Sequence, residues 1–243
     1  MAQRWPYYRA MDLNLRELEQ RYAYPTSTRP WIRTNFVSTL DGAAYAANGL
    51  SGPLGNPADK MVFALLRSLA DVILVGAGTA RAEGYAPVKP DEVNADLRQR
   101  LGLRPLPAIA IVSKSLNIPI SLMAPGQIVI TTEDAPAARA NALREHVDVI
   151  AAGQGDIDWP QVVNRLGSHG LSRVLCEGGP TLHGSLIDHD LVDELCLSIT
   201  PILAGGNAPR IAHSQLAVDR PMRLAHSIQA GDLLLTRFVR ARH

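Results

Sequence analysis

Along this chain, short unbroken apolar runs alternate with longer stretches whose apolar residues recur at helical spacing. The run around residues 31–39 sets the pattern. There Ile32, Thr34, Phe36 and Ser38 alternate with Arg33, Asn35 and Val37, and Asp41-Gly42 turns the chain, which predicts a strand and its exit loop. Residues 43–57, rich in Gly, Ala, Asn and Pro, read as a loop. The segment 56–70 opens on Asn-Pro, a cap with proline at the first helical position, and carries Met61, Leu65 and Leu69 a turn apart. Further strands are predicted at 71–79, where the run enters a glycine turn, and at 106–115, 126–132, 147–153 and 172–179. Helices fall at 11–22, 91–101, 133–146 and 159–170, and a further helical pattern opens at Pro180. Continuous apolar strands separated by helices are the signature of a mostly parallel sheet covered on both faces. The C-terminal part differs: 192–206 and 232–240 are strands without a strong helix between them, which predicts an antiparallel edge.

Composition narrows the class. With 47% hydrophobic and 19% charged residues the chain can bury a full core, and 243 residues without a compositional seam predict one large domain. Twenty-four basic against twenty-three acidic side chains, without basic blocks, argue against a nucleic-acid partner. The N-terminal segment lacks the apolar core of a signal peptide and no apolar run approaches membrane length, so a cytoplasmic protein is expected. Cys176 and Cys196 lie within apolar runs, as small buried hydrophobes do, rather than in a disulfide framework.

Open α/β sheets bind ligands at the carboxyl ends of their strands, which directs attention to four exits: 35–41, 76–79, 113–115 and 177–181. Several familiar chemistries are missing there. The third glycine of a dinucleotide G-x-G-x-x-G would fall on Arg81, and no phosphate-binding G-x-x-x-x-G-K-[ST] exists. The zinc-deaminase pair H-x-E and P-C-x-x-C is likewise absent, and scattered histidines give no metal-binding spacing. Gly178-Gly179-Pro180 admits two readings. It is either a tight turn with proline at the first helical position, or a side-chain-free approach for a diphosphate to helix amides.

The segments RTNFVSTLDG (33–42), LLRSLADVILVGAGTARAE (65–83) and CEGGPTLHGSLIDHDLVDELCLSITPILAGG (176–206) together resemble the reductase domain of riboflavin biosynthesis proteins, within the dihydrofolate reductase superfamily. The resemblance spans roughly residues 30 to 240 and leaves 1–29 as an N-terminal extension with a short helix before a reductase domain at 30–243. It implies a dihydrofolate reductase-like fold, NADPH as hydride donor, reduction of a ribosylamino-pyrimidine phosphate such as 5-amino-6-(5-phosphoribosylamino)uracil, and a homodimer using the LVDELCLSITP strand. It places Gly76, Gly78 and Thr79 against the cofactor, with Glu177, Gly178, Gly179, Thr181 and Leu182 bordering its diphosphate. Ser113, Lys114 and Ser115 suit the 2′-phosphate, although on composition alone they are equally a solvated polar turn. Asn35, Ser38, Asp41, Glu177 and Gly205 are implied on the substrate side, with Asp41 the first candidate for a catalytic role, although on composition alone Asp41-Gly42 is an ordinary turn.

Two departures bear on the substrate. The related reductases carry lysine after Asp-Gly and a D-N-P-x-L-x-x-R segment after the threonine turn. This chain has Ala43-Ala44 and Ala82-Glu83-Gly84-Tyr85-Ala86-Pro87-Val88-Lys89, leaving Arg67, Arg81 and Lys89 as the nearby cations. A pterin or dihydrofolate reductase of the same superfamily is therefore the alternative enzyme, and a non-catalytic NADPH-binding module the alternative of another class.

Overall fold

The computed structural model describes residues 14–241, and these form a nine-stranded sheet flanked by helices. Residues 11–13 of the expected first helix lie outside the described residues; α1 runs Leu15–Arg21, capped by the Asn14 side chain. The sheet order is β5-β4-β3-β2-β6-β1-β7-β9-β8. Its strands are β1 (Trp31–Thr39), β2 (Val72–Gly76), β3 (Ala108–Val112), β4 (Ile128–Thr131), β5 (Asp148–Ala151), β6 (Arg173–Cys176), β7 (Glu194–Thr200), β8 (Met222–Ala230) and β9 (Leu233–Arg240). All pairings from β5 to β7 are parallel, whereas β9 runs antiparallel to both β7 and β8. The mostly parallel sheet with an antiparallel edge is as expected.

One face of the sheet packs on α1, α2 (Pro57–Leu69), α3 (Ala77–Ala82), α4 (Ala95–Arg100) and α5 (Ala137–Arg144). The other packs on α6 (Trp159–Ser168) and α7 (Pro180–Asp188). Helix α2 is the main partner of the first face. Asn56 caps it by accepting from the amides of Ala58 and Asp59, Pro57 supplies the first position, and Met61, Val62, Leu65, Leu66 and Leu69 are buried. Burying one such aliphatic side chain is worth about 1.5 to 3 kcal/mol, so α2 is held mainly by this stripe. The N-terminal extension joins the same core, since Leu18 and Tyr22 are buried in it. Its helix end is fixed by two arginines: buried Arg33 and half-buried Arg237 both pair with Glu194 and donate to the Tyr22 and Arg21 carbonyls, respectively.

Three local expectations change. The run at 192–206 is a strand only to Thr200; from Pro201 the chain forms an exposed strap over 201–221. The strap is followed by β8, an additional strand that lacks an apolar run because most of its residues face solvent. The glycine turn after β2 is instead α3, which starts directly at Ala77 with Gly76 as its cap. No helix among the described residues is long and apolar enough to cross a membrane.

Candidate active site

Strand β6 is inserted between β2 and β1, strands formed earlier in the chain, so the exits of all three meet at the centre of the carboxyl edge. A cleft of about 440 Å3 opens there. Its base is Asn35, Phe36 and Val37 of β1; its walls are α2, the loop through Tyr45, and the segment from Thr79 to Glu92 that follows β2.

Small residues bring the backbones together. The Gly76 amide donates to the Gly178 carbonyl at 2.8 Å, joining the exits of β2 and β6. Gly178 has φ +98, and a Cβ there would sit 3.0 Å from the Phe36 ring, so both conformation and space call for glycine. At Gly179 a Cβ would collide with the Thr79 hydroxyl, and the Tyr45 hydroxyl lies beside the same point. Helix α7 then begins at Pro180 with Gly179 as a cap that offers no side-chain acceptor. Amides at that helix end remain for an anion. Gly78 is exposed, and a Cβ added there would meet nothing within 4 Å. These features fit a dinucleotide: a glycine cradle, an uncapped helix end and an open approach, all on one rim.

A charged cluster lines the same cleft. Glu177, whose side chain is 2% exposed, receives Arg67 Nε and Nη2, each at 2.8 Å, and the Tyr85 hydroxyl at 2.7 Å. The fork-on-carboxylate geometry is the strongest form of ion pair. Arg67 also donates to Glu92 at 3.4 Å and lies over the Phe63 ring at 4.3 Å. Burial pushes the Tyr85 phenol well above its ordinary range, and the adjacent Glu177 charge adds to this, so Tyr85 is a donor at neutral pH. Glu83 accepts from the Ser51 amide and hydroxyl, both at 2.9 Å.

Of the residues expected at the site, Asn35, Thr79, Glu177 and Gly179 line the cleft. Gly76 and Gly178 are bonded to each other beside Gly179, and Gly78 and Thr181 are exposed in the first turns of α3 and α7, whereas the Leu182 side chain is buried in the core beneath α7, which leaves only its backbone for a ligand. Ser113, Lys114 and Ser115 follow β3, whose Val112 is the register partner of Gly76. Ser113 is buried, and Lys114 reaches the Gly155 carbonyl at 3.2 Å and Asp156 at 3.4 Å.

Asp41, Ser38 and Gly205 depart from expectation. Asp41 is exposed and does not line the cleft; it accepts from the Thr39 hydroxyl and from the Ala204 and Gly205 amides, tying the β1 exit to the strap. Those donors, led by Thr39, lower its pKa to about 2. Gly205 is thus a strap residue held by Asp41, not a cleft wall. Ser38 is buried on the strand face opposite Asn35 and Val37, donating to the Thr39 carbonyl. Conversely, Asp59, Lys60, Phe63 and Tyr45 line the cleft although nothing in their local sequence marks them, because helix-start and loop composition already explain them. Arg81 lies apart, donating to the Asn117 carbonyl.

Comparison with known proteins places this geometry in context. The family described as RibD C-terminal domain matches residues 30–235. A 2,5-diamino-6-ribosylamino-4(3H)-pyrimidinone 5′-phosphate reductase of Methanothermobacter thermautotrophicus is 30% identical over 184 residues, 75% of this chain and 82% of the relative. Riboflavin biosynthesis protein RibD of Escherichia coli is 29% identical over 74% of this chain, which covers 50% of that longer protein. Among solved structures, a pyrimidine reductase-like protein of Corynebacterium diphtheriae superposes with a TM-score of 0.81 at 27% identity, covering 93% of this chain and 99% of the other.

Proposed function

The chain belongs to the RibD C-terminal domain family, and we propose that it reduces the ribosylamino group of a pyrimidine 5′-phosphate to the ribitylamino form in riboflavin biosynthesis, with NADPH as reductant. The observation that carries this reading is the shared cleft. The glycine turn at Gly178 and Gly179 and the Arg67–Glu177–Tyr85 cluster border the same cleft, so a nicotinamide and a polar sugar can meet there. Bound NADPH supplies a hydride; the protein supplies binding, orientation and charge.

In this reading Gly76, Gly78, Thr79 and the amides of Thr181 and Leu182 border the diphosphate, while Ser113, Lys114 and Ser115 face the 2′-phosphate. Lys114 is 57% exposed, so its charge is open to a ligand despite its contact with Asp156. Glu177, held in place by three donors, accepts from sugar hydroxyls, and Asn35 contacts the ring. Residues 30–243 form the reductase unit, buttressed by α1. We further expect a cytoplasmic homodimer. The outer face of β7 and β9 carries half-buried Leu195, Leu197 and Ile199 beside exposed Leu234, and Leu224 on β8 is 50% exposed. Such an uncovered apolar sheet face suits a two-fold contact.

The test is NADPH oxidation followed at 340 nm with the 2,5-diamino-pyrimidinone substrate, its deaminated uracil counterpart and dihydrofolate offered separately. Oxidation with either ribosylamino-pyrimidine phosphate is expected. Turnover of dihydrofolate alone would replace this reading by the pterin one, and NADPH binding without any turnover by a non-catalytic module.

A further inference from the structure

Reduction at the sugar carbon C1′ needs more than a hydride. In the closed ribosylamine C1′ is saturated, so the C1′–O4′ bond must break, and the departing O4′ must take a proton. Asp41 lies outside the cleft, so a side-chain donor of that proton has to come from the residues that line it.

Four carboxyl groups line the cleft: Asp59, Glu83, Glu92 and Glu177. Three of them already accept from N–H groups: Glu177 from Arg67, Glu92 from Arg67 and the Lys89 amide, and Glu83 from the Ser51 amide. Asp59 is differently placed. A first-turn aspartate ordinarily serves its own helix amides, but in α2 Asn56 does so, bonding the Ala58 and Asp59 amides at 2.8 and 3.0 Å. The Asp59 carboxyl is left to point between Gly55 and β7. Any Cβ at Gly55 would overlap its Oδ2, so the absence of a side chain there makes room for it. Its polar contact is the Ser198 hydroxyl, and Ser198 is the register partner of the cleft residue Val37.

We propose that Asp59 is the general acid of the reaction, donating its proton to O4′ as the ribose ring opens. This rests on the reductase reading above. As the C1′–O4′ bond breaks, its electron pair stays with O4′, which takes the Asp59 proton; the exocyclic nitrogen lone pair forms the C1′=N bond. C1′ then accepts the hydride, NADPH is oxidised to NADP+, and the C=N electrons return to nitrogen. Asp59 is reprotonated from solvent, so one NADPH and one proton are consumed per product. The environment supports an acid. Burial, the largest effect, raises the Asp59 pKa, partly offset by Ser198 and by Lys60 on its own helix. Arg67 on the same helix is committed to Glu177 and Glu92, and Lys89 belongs to the segment that follows β2.

Steady-state kinetics across pH, on the full chain with the ribosylamino-pyrimidine phosphate, test this. Asp59→Asn is expected to lower kcat about 100-fold or more while leaving KM and the NADPH dissociation constant, read by fluorescence, within about threefold. In the unaltered protein kcat/KM falls as pH rises through the Asp59 pKa, because the protonated form is the active one. Ser198→Ala removes a contact that lowers that pKa, so the falling limb moves to higher pH. Asp59→Asn with near-normal kcat, or an unmoved limb in Ser198→Ala, overturns the proposal. No oxidation by the unaltered protein overturns the reductase reading and this assignment together.

Discussion

Asp41, just past the end of β1, and Asp59, in the first turn of α2, have opposite environments. Asp41 is exposed, receives a hydroxyl and two backbone amides, and has a pKa lowered to about 2. Asp59 lies in the cleft, is half-buried, has no helix amide to serve, and is raised by desolvation. Hydrogen bonds to a charged form stabilise it, whereas burial penalises it. The same residue type therefore becomes a structural anion in one place and a proton carrier in the other, as diverging carboxyl environments do in acid–base enzymes generally.

The contrast holds only if the cleft around Asp59 keeps its charges fixed. Arg67→Ala would leave the buried Glu177 carboxylate without its cation, an effect of about 3 to 5 kcal/mol when one partner of a buried pair is removed. Denaturant unfolding measures it, and a loss under about 1 kcal/mol would mean that Glu177 is not confined as described. Gly179→Ala comes next. Its Cβ collides with Thr79, so NADPH affinity should drop about tenfold or more, roughly 1.4 kcal/mol. Gly78→Ala meets no atom within 4 Å in the free protein and should leave the fold unchanged, which separates a blocked cradle from a damaged fold.

Smaller effects probe the aspartates through stability. A carboxyl whose pKa is raised on folding stabilises only while protonated, so the Asp59 contribution is lost as pH rises through its folded pKa. Asp59→Asn should therefore match or exceed the unaltered protein at pH 8, with Tm higher by about 2 to 4 °C for each kcal/mol gained. Asp41 has the opposite sign: its contribution is present above about pH 4 and disappears as pH falls toward 2. The Tm deficit of Asp41→Asn should be constant from pH 5 to 8 and close in acid. A deficit that instead grew in acid would contradict the hydrogen-bonded carboxylate described for the strap.

The same contrast explains what could be read from the chain. Parallel strands such as Val72–Gly76 and Ala108–Val112 are legible because both faces are buried and the apolar run is unbroken. Strand β8 carries the pattern of an exposed edge, with Arg223, Ser227 and Gln229 among its residues, and has no such run. The α3 start is hidden because glycines that suit a close approach also suit a turn. At the site, Glu177, Gly178 and Gly179 stand out through an unusual local sequence. Asp59 does not, since Asn-Pro-Ala-Asp is an ordinary helix opening, and only the Asn56 cap and the space at Gly55 show its carboxyl to be free of that task. Asp41 misleads for the converse reason: its partners, Ala204 and Gly205, lie 163 and 164 residues away.

The most direct test is a carbon-13 NMR titration of the aspartate carboxyls in the ligand-free protein, with Asp41→Asn and Asp59→Asn used for assignment. Asp59 should titrate above the ordinary aspartate value near 4 and Asp41 at about 2. Equal midpoints for the two, or Asp59 below Asp41, would contradict the division of roles on which the mechanism depends.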